Sequence, residues 1–141
     1  MISQKYHDNI PKMELEQYID EIRSGLSQVE GIDYAYLFGS VLQRLLPDSD
    51  VDILVGGELD SNQKNSLAMK LALRLKRNVD IILAKEASHE LILKALSQGR
   101  PILIHKRDSL RQDYFRNYFL YDTNTSLRNI RMERIKRAYS K

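Results

Sequence analysis

Four short runs rich in β-branched and aromatic residues, DYAYLF, VDILVGG, NVDIILA and PILI, are set apart by segments whose apolar residues recur with helical spacing. Strand runs alternate or stay apolar over about 4–8 residues, whereas a helix repeats its apolar positions every three or four. A chain that keeps switching between these periods builds a sheet and packs helices on its faces, which is the α/β class.

The first helix is expected from about Pro11 through MELEQYIDEIRSGLSQV, with Met13, Leu15, Tyr18, Ile19, Ile22 and Leu26 as its stripe and Glu30-Gly31 closing it. DYAYLF ends at Gly39-Ser40, and VLQRLL supplies one or two helical turns that Pro47 stops. The second strand, SDVDILVGG, ends at Gly56-Gly57. Asp60 or Ser61 can cap the next helix, Asn78 opens the third strand, and Ser88 caps HELILKALSQ, which Gly99 ends before PILIHK. Asp108 is expected to cap a helix carrying Leu110, Tyr114, Phe115, Tyr118 and Tyr121 on one side. Helical spacing reads that aromatic stripe as core packing rather than a base-stacking platform, with a partner interface as the alternative. A polar break, YDTNT, leads into a last basic helix, SLRNIRMERIKRAY.

At 141 residues the chain fits one domain, divided into a body, 1–107, and a C-terminal helical extension of the same domain, 108–141. The absence of cysteine excludes disulfides, thiolate nucleophiles and thiolate zinc sites. His7, His89 and His105 lack metal-ligand spacing and are read as surface or structural residues. MISQKYHDNIPKM lacks the apolar centre of a signal peptide, and no run reaches the ~18 apolar residues of a membrane span, so the expected compartment is the cytoplasm, without a membrane partner. Charge is unevenly spread. Between His105 and Lys141 ten Lys and Arg face four Asp and Glu, while the residues before hold twelve against fifteen. The basic tail of an otherwise acidic chain reads most simply as a solvated helix face, next as a contact for a protein partner, and last as a weak nucleic-acid contact without sequence preference.

The chemistry gathers around GSVLQRLLPDSDVD. Asp50 and Asp52 are two apart on the expected second strand, so both project from one face while Val51, Ile53 and Val55 take the other. If the third strand is the neighbour, Asp80 joins them. Three carboxylates without a counter-charge repel one another, and Mg²⁺, which prefers hard oxygen ligands shared with substrate phosphates, resolves the conflict. Two ions would stabilise both oxygens of an in-line displacement. Gly39-Ser40, at the end of a strand and the start of a helical turn, offers a close backbone approach and a hydroxyl to a nucleoside triphosphate, and Arg44 could neutralise its phosphates.

Gly-Ser, a spacer, Asp-x-Asp and a third Asp on a later strand together resemble the nucleotidyltransferase superfamily of DNA polymerase beta, through Gly39, Ser40, Asp50, Asp52 and Asp80. The small size points to the minimal nucleotidyltransferases, with 1–107 as that domain. Within them the stretches NVDIILAKEASHELILKALSQGRPILIHKRD and RQDYFRNYFLYDTNTSLRNIR look like the MntA-type antitoxins of HEPN/MNT toxin–antitoxin pairs. The resemblance implies a polymerase-beta-like mixed sheet flanked by helices and Mg²⁺-dependent transfer of AMP from ATP to tyrosine of a partner HEPN ribonuclease. It implies metal at Asp50, Asp52 and Asp80, with Asp80 as, or positioning, the general base. It also implies triphosphate at Gly39, Ser40 and Arg44. The chain departs from the family where VLQR stands in place of a small residue and Arg-Gly. Two other readings stay open: an antitoxin that acts by binding alone, and a small-molecule nucleotidyltransferase such as one acting on an antibiotic.

Overall fold

A computed structural model describes residues 14–43 and 49–122. The order is α1 (Leu15–Leu26), β1 (Ile32–Phe38), α2 (Ser40–Gln43), β2 (Val51–Gly57), α3 (Ser61–Leu75), β3 (Val79–Leu83), α4 (His89–Gln98), β4 (Arg100–Ile104) and α5 (107–122). The sheet runs β3-β2-β1-β4. β1 is antiparallel to β2 and β4, whereas β2 and β3 are parallel, with α3 as their crossover. This is the expected α/β architecture, a mixed sheet with helices on its faces.

Alternation along the strands divides the core. Leu37 of β1, Val51, Ile53 and Val55 of β2, and Ile81 and Leu83 of β3 face α1 and α3, where they meet Ile19, Ile22, Leu26, Leu67, Leu71 and Leu75. Each such side chain, fully buried, contributes about 1.5–3 kcal/mol. On the other face Tyr34, Phe38 and Leu54 meet Ile92 and Ala95 of α4, with Leu110 of α5 against them. No helix among the described residues is long and apolar enough to cross a membrane.

The helix ends follow local chemistry. Asp60 caps α3 by accepting from the Gln63 amide at 2.7 Å, and Ser88 caps α4 by accepting from Leu91 at 3.2 Å. At the end of α3, Lys76 adopts φ 55°, a left-handed turn that sends the chain into β3. Three expectations are corrected. Among the described residues the helix expected from about Pro11 begins at Leu15, because Glu14 is extended and caps it, its amide donating to Gln17 Oε1 at 2.8 Å; Pro11 and Met13 lie outside the described residues. Asp108 sits inside the first turn of α5, whose entry is set at Lys106, where the carbonyl accepts from the Leu110 amide at 3.3 Å.

The third correction concerns the aromatic stripe. Phe115, Tyr118 and Tyr121 are 66%, 53% and 39% exposed, so they are not core, and Phe119 beside them is exposed as well. Polar anchors turn the helix. The Tyr34 hydroxyl donates to Asp113 at 2.7 Å and the Ser109 hydroxyl donates to Asp33 at 2.8 Å, while Asn117, buried on the same side, donates within the helix to the Asp113 carbonyl at 2.6 Å. The side bearing Leu110, Asp113 and Asn117 therefore faces the sheet, and the Phe115 and Phe119 side faces outward.

Candidate active site

The site is built at one end of the sheet. In the parallel β2–β3 pair Asp52 stands in register with Asp80, one strand apart, and both face away from the α1/α3 core that claims Val51, Ile53 and Ile81. Asp50 lies one residue ahead of β2 rather than within it, and it is exposed. The strand geometry thus brings Asp52 and Asp80 together, with Asp50 at the strand's mouth.

Burial first, then Asp80, then Asp50, pushes the Asp52 carboxyl above its ordinary range. None of the ion pairs among the described residues includes these three aspartates. Among the described residues, then, no ion pair offsets their mutual repulsion. Among the described residues no group of three His, Asp or Glu is placed so that it could hold a metal ion, so the three expected carboxylates are not gathered into one set. Mg²⁺ takes one or two carboxylates and fills its remaining positions with water and substrate phosphates. Asp52 and Asp80, paired across β2 and β3, offer carboxylate oxygens of the kind that ion accepts.

Gly39 closes the site from β1. Phe38 is the register partner of Asp52, and the chain then turns at Gly39 with φ +88°. A side-chain carbon there would fall 2.5 Å from Asp52 Oδ2, so only glycine lets this corner sit against the carboxylate. Ser40 follows, exposed, as the first residue of the single turn α2. Arg44, the third residue expected at the phosphates, lies outside the described residues, as do Pro47 and the basic segment beyond residue 122.

Two supports were not foreseen. Arg77 Nη1 donates to the Ser49 carbonyl at 3.1 Å, and the Val51 amide donates to the Asn78 carbonyl at 2.9 Å, so both peptide groups flanking Asp50 are held. In sequence, Arg77-Asn78 reads as a linker between helix and strand, and nothing in its pattern reveals contacts across the fold. His89 is half-buried and lies edge-on to Tyr121, with ring centroids 6.2 Å apart, and His105 is exposed.

With this geometry in view, the chain can be set beside known proteins. Its sequence matches none of the curated proteins compared. The fold is similar to a chain of a toxin–antitoxin crystal structure with AMP-PNP, at TM-score 0.68 and 26% identity over 83% of this chain and 97% of that one. It is also similar to a mutant of the toxin–antitoxin MntA-HpeT, at TM-score 0.66 and 25% identity over 88% and 98% of the two chains. A third similar structure is a tri-AMPylated Shewanella oneidensis HEPN toxin in complex with MNT antitoxin, at TM-score 0.67 and 24% identity over 85% and 97%. The family model described as polymerase beta, nucleotidyltransferase, matches residues 20–108, from α1 past β4 and across Gly39, Ser40, Asp50, Asp52 and Asp80. The chain belongs to the polymerase beta nucleotidyltransferase family.

Proposed function

We propose that this protein is a cytoplasmic antitoxin that transfers AMP from ATP to a tyrosine of a cognate HEPN ribonuclease and thereby inactivates it. The observation that carries the reading is the Asp52–Asp80 pair, in register on parallel strands with Gly39 against the Asp52 carboxylate. The similar structures with AMP-PNP and with a tri-AMPylated HEPN toxin support the nucleotide and the acceptor.

In this reading Gly39 and Ser40 bind the triphosphate, with Arg44 neutralising it. Asp50, Asp52 and Asp80 would hold two Mg²⁺ ions, which when bound supply positive charge against that on the phosphoryl oxygens. The tyrosine oxygen forms a bond to the α-phosphorus, the bond from that phosphorus to the oxygen bridging the β-phosphate breaks, and pyrophosphate leaves with the electron pair. Asp80 receives or positions the phenolic proton. The exposed Phe115, Tyr118 and Phe119 face of α5 supports protein docking beside the sheet.

ATP labelled at its α- or its γ-phosphate tests the reading, with the chain incubated beside its HEPN partner. The partner is expected to acquire label from the α-position alone. Label from the γ-position, or none from either with both proteins folded, contradicts it. The docking face also suits an antitoxin acting by binding alone; in that case Asp52→Asn neutralises the toxin as well as the wild type does.

A further inference from the structure

Asp50 is exposed and precedes the first residue of β2, so the sheet's ladder reaches only the peptide group that it shares with Val51. Its backbone angles are set by the two peptide groups that flank it. The carbonyl of the first, from Ser49, accepts from Arg77 Nη1 at 3.1 Å, and the amide of the second, from Val51, donates to Asn78 O at 2.9 Å. Holding both peptide planes fixes the direction in which the Asp50 side chain leaves the backbone. Both anchors come from consecutive residues that run directly into β3 and Asp80.

Arg77 is itself tied down. Its Nε donates to the Tyr18 hydroxyl at 2.9 Å, its guanidinium carbon lies 4.9 Å from the centre of the Tyr18 ring, and its amide donates to Ala72 O at 3.3 Å. Tyr18 is buried on α1. The planar fork of arginine can serve the Tyr18 hydroxyl, its ring and the Ser49 carbonyl together, which the single ammonium of lysine cannot. We propose that Arg77 is a positioning residue for nucleotidyl transfer, holding the Ser49–Asp50 peptide so that Asp50 is presented beside Asp52 and Asp80. This rests on the adenylyl-transfer reading and adds to it a residue that touches neither nucleotide nor acceptor.

The test compares wild type, Arg77→Met and Arg77→Lys by backbone relaxation at the Asp50 amide and by steady-state AMP transfer to the partner. In Arg77→Met the order parameter at Asp50 is expected to fall from about 0.85 toward 0.6. Its kcat is expected to drop about 10- to 100-fold, with KM for ATP within about twofold, because a displaced group is lost mainly to the reacting geometry. Arg77→Lys should recover part of both. If Arg77→Met does not fold, as read by thermal unfolding, Arg77→Lys carries the same two readings with a smaller loss. An Asp50 amide as rigid as in wild type, or a loosened Asp50 with unchanged kcat, overturns the proposal while leaving adenylyl transfer standing. Absence of AMP transfer by the wild type sinks the adenylyl-transfer reading, and the order parameter alone then decides whether Arg77 holds Asp50.

Discussion

Asp52 and Asp80 stand side by side at the same level of the parallel β2–β3 pair, and the protein provides no ion-pair partner for either among the described residues. Burial, Asp80 and Asp50 raise the Asp52 carboxyl above its ordinary range. The folded state thus holds that proton more tightly than the unfolded chain. Stability is unaffected below the ordinary aspartate value of about 3.9 and declines as pH rises from there through the raised value. Asp52→Asn should therefore increase the metal-free thermal midpoint at neutral pH, by the equivalent of less than about 1 kcal/mol, since partial exposure screens the repulsion. Unfolding scans across pH check this. A lower midpoint at neutral pH, or a gain that persists unchanged below the ordinary aspartate range, would go against it.

If Mg²⁺ relieves the same repulsion, as the proposed function requires, the protein's stability should respond to the added ion. Binding to the folded state alone stabilises by about 2.7 kcal/mol when the free ion is at 100 times its dissociation constant. Wild type should show a midpoint that climbs with Mg²⁺ and returns on chelation, and Asp52→Asn should show much less of this rise. Equal rises in the two proteins would place the ion elsewhere.

Gly39 packs its bare α-carbon against Asp52. A methyl group there meets Oδ2 at 2.5 Å on a backbone already at φ +88°. Gly39→Ala should cost about 1–2 kcal/mol from the left-handed backbone, with a further loss of AMP transfer as Asp52 is displaced. Denaturant unfolding and transfer kinetics measure the two effects separately. Wild-type activity in this variant would mean that the corner has no part in the site.

Tyr34 fastens α5 to the sheet through its hydroxyl on Asp113, at 2.7 Å. Burial, and then that hydrogen bond, push the Tyr34 phenol above its ordinary range, so it remains a donor well into alkaline solution. Tyr34→Phe keeps the ring and should cost about 1.5–3 kcal/mol, the usual value for a bond to a charged group. Amide exchange should quicken along α5 more than in β2. Uniform protection would show that Leu110 packing alone holds the helix.

Much of this architecture was legible because local chemistry and global fold agree. The clean switch between strand and helix periods marks the elements; Ser88 and Asp60 cap where their side chains can accept; and strand alternation turns Asp52 and Asp80 to the face that Val51, Ile53 and Ile81 avoid. What stayed hidden depends on partners distant in sequence. The aromatic stripe of α5 has the spacing of a core face, but Asp113 and Ser109 dock on Tyr34 and Asp33 and rotate Phe115 and Tyr118 outward. The SDVD alternation extends a strand through Asp50, whereas β2 begins at Val51 and the preceding peptide is held by Arg77. No periodicity encodes such contacts.

The most direct test of the central claim is the intact mass of the HEPN partner after co-expression with this chain. With wild type, the account predicts that the partner gains one or more AMP-sized increments located on tyrosine, and that Asp52→Asn and Asp80→Asn abolish them while remaining folded. A silenced partner of unchanged mass, or increments that survive both substitutions, would contradict it.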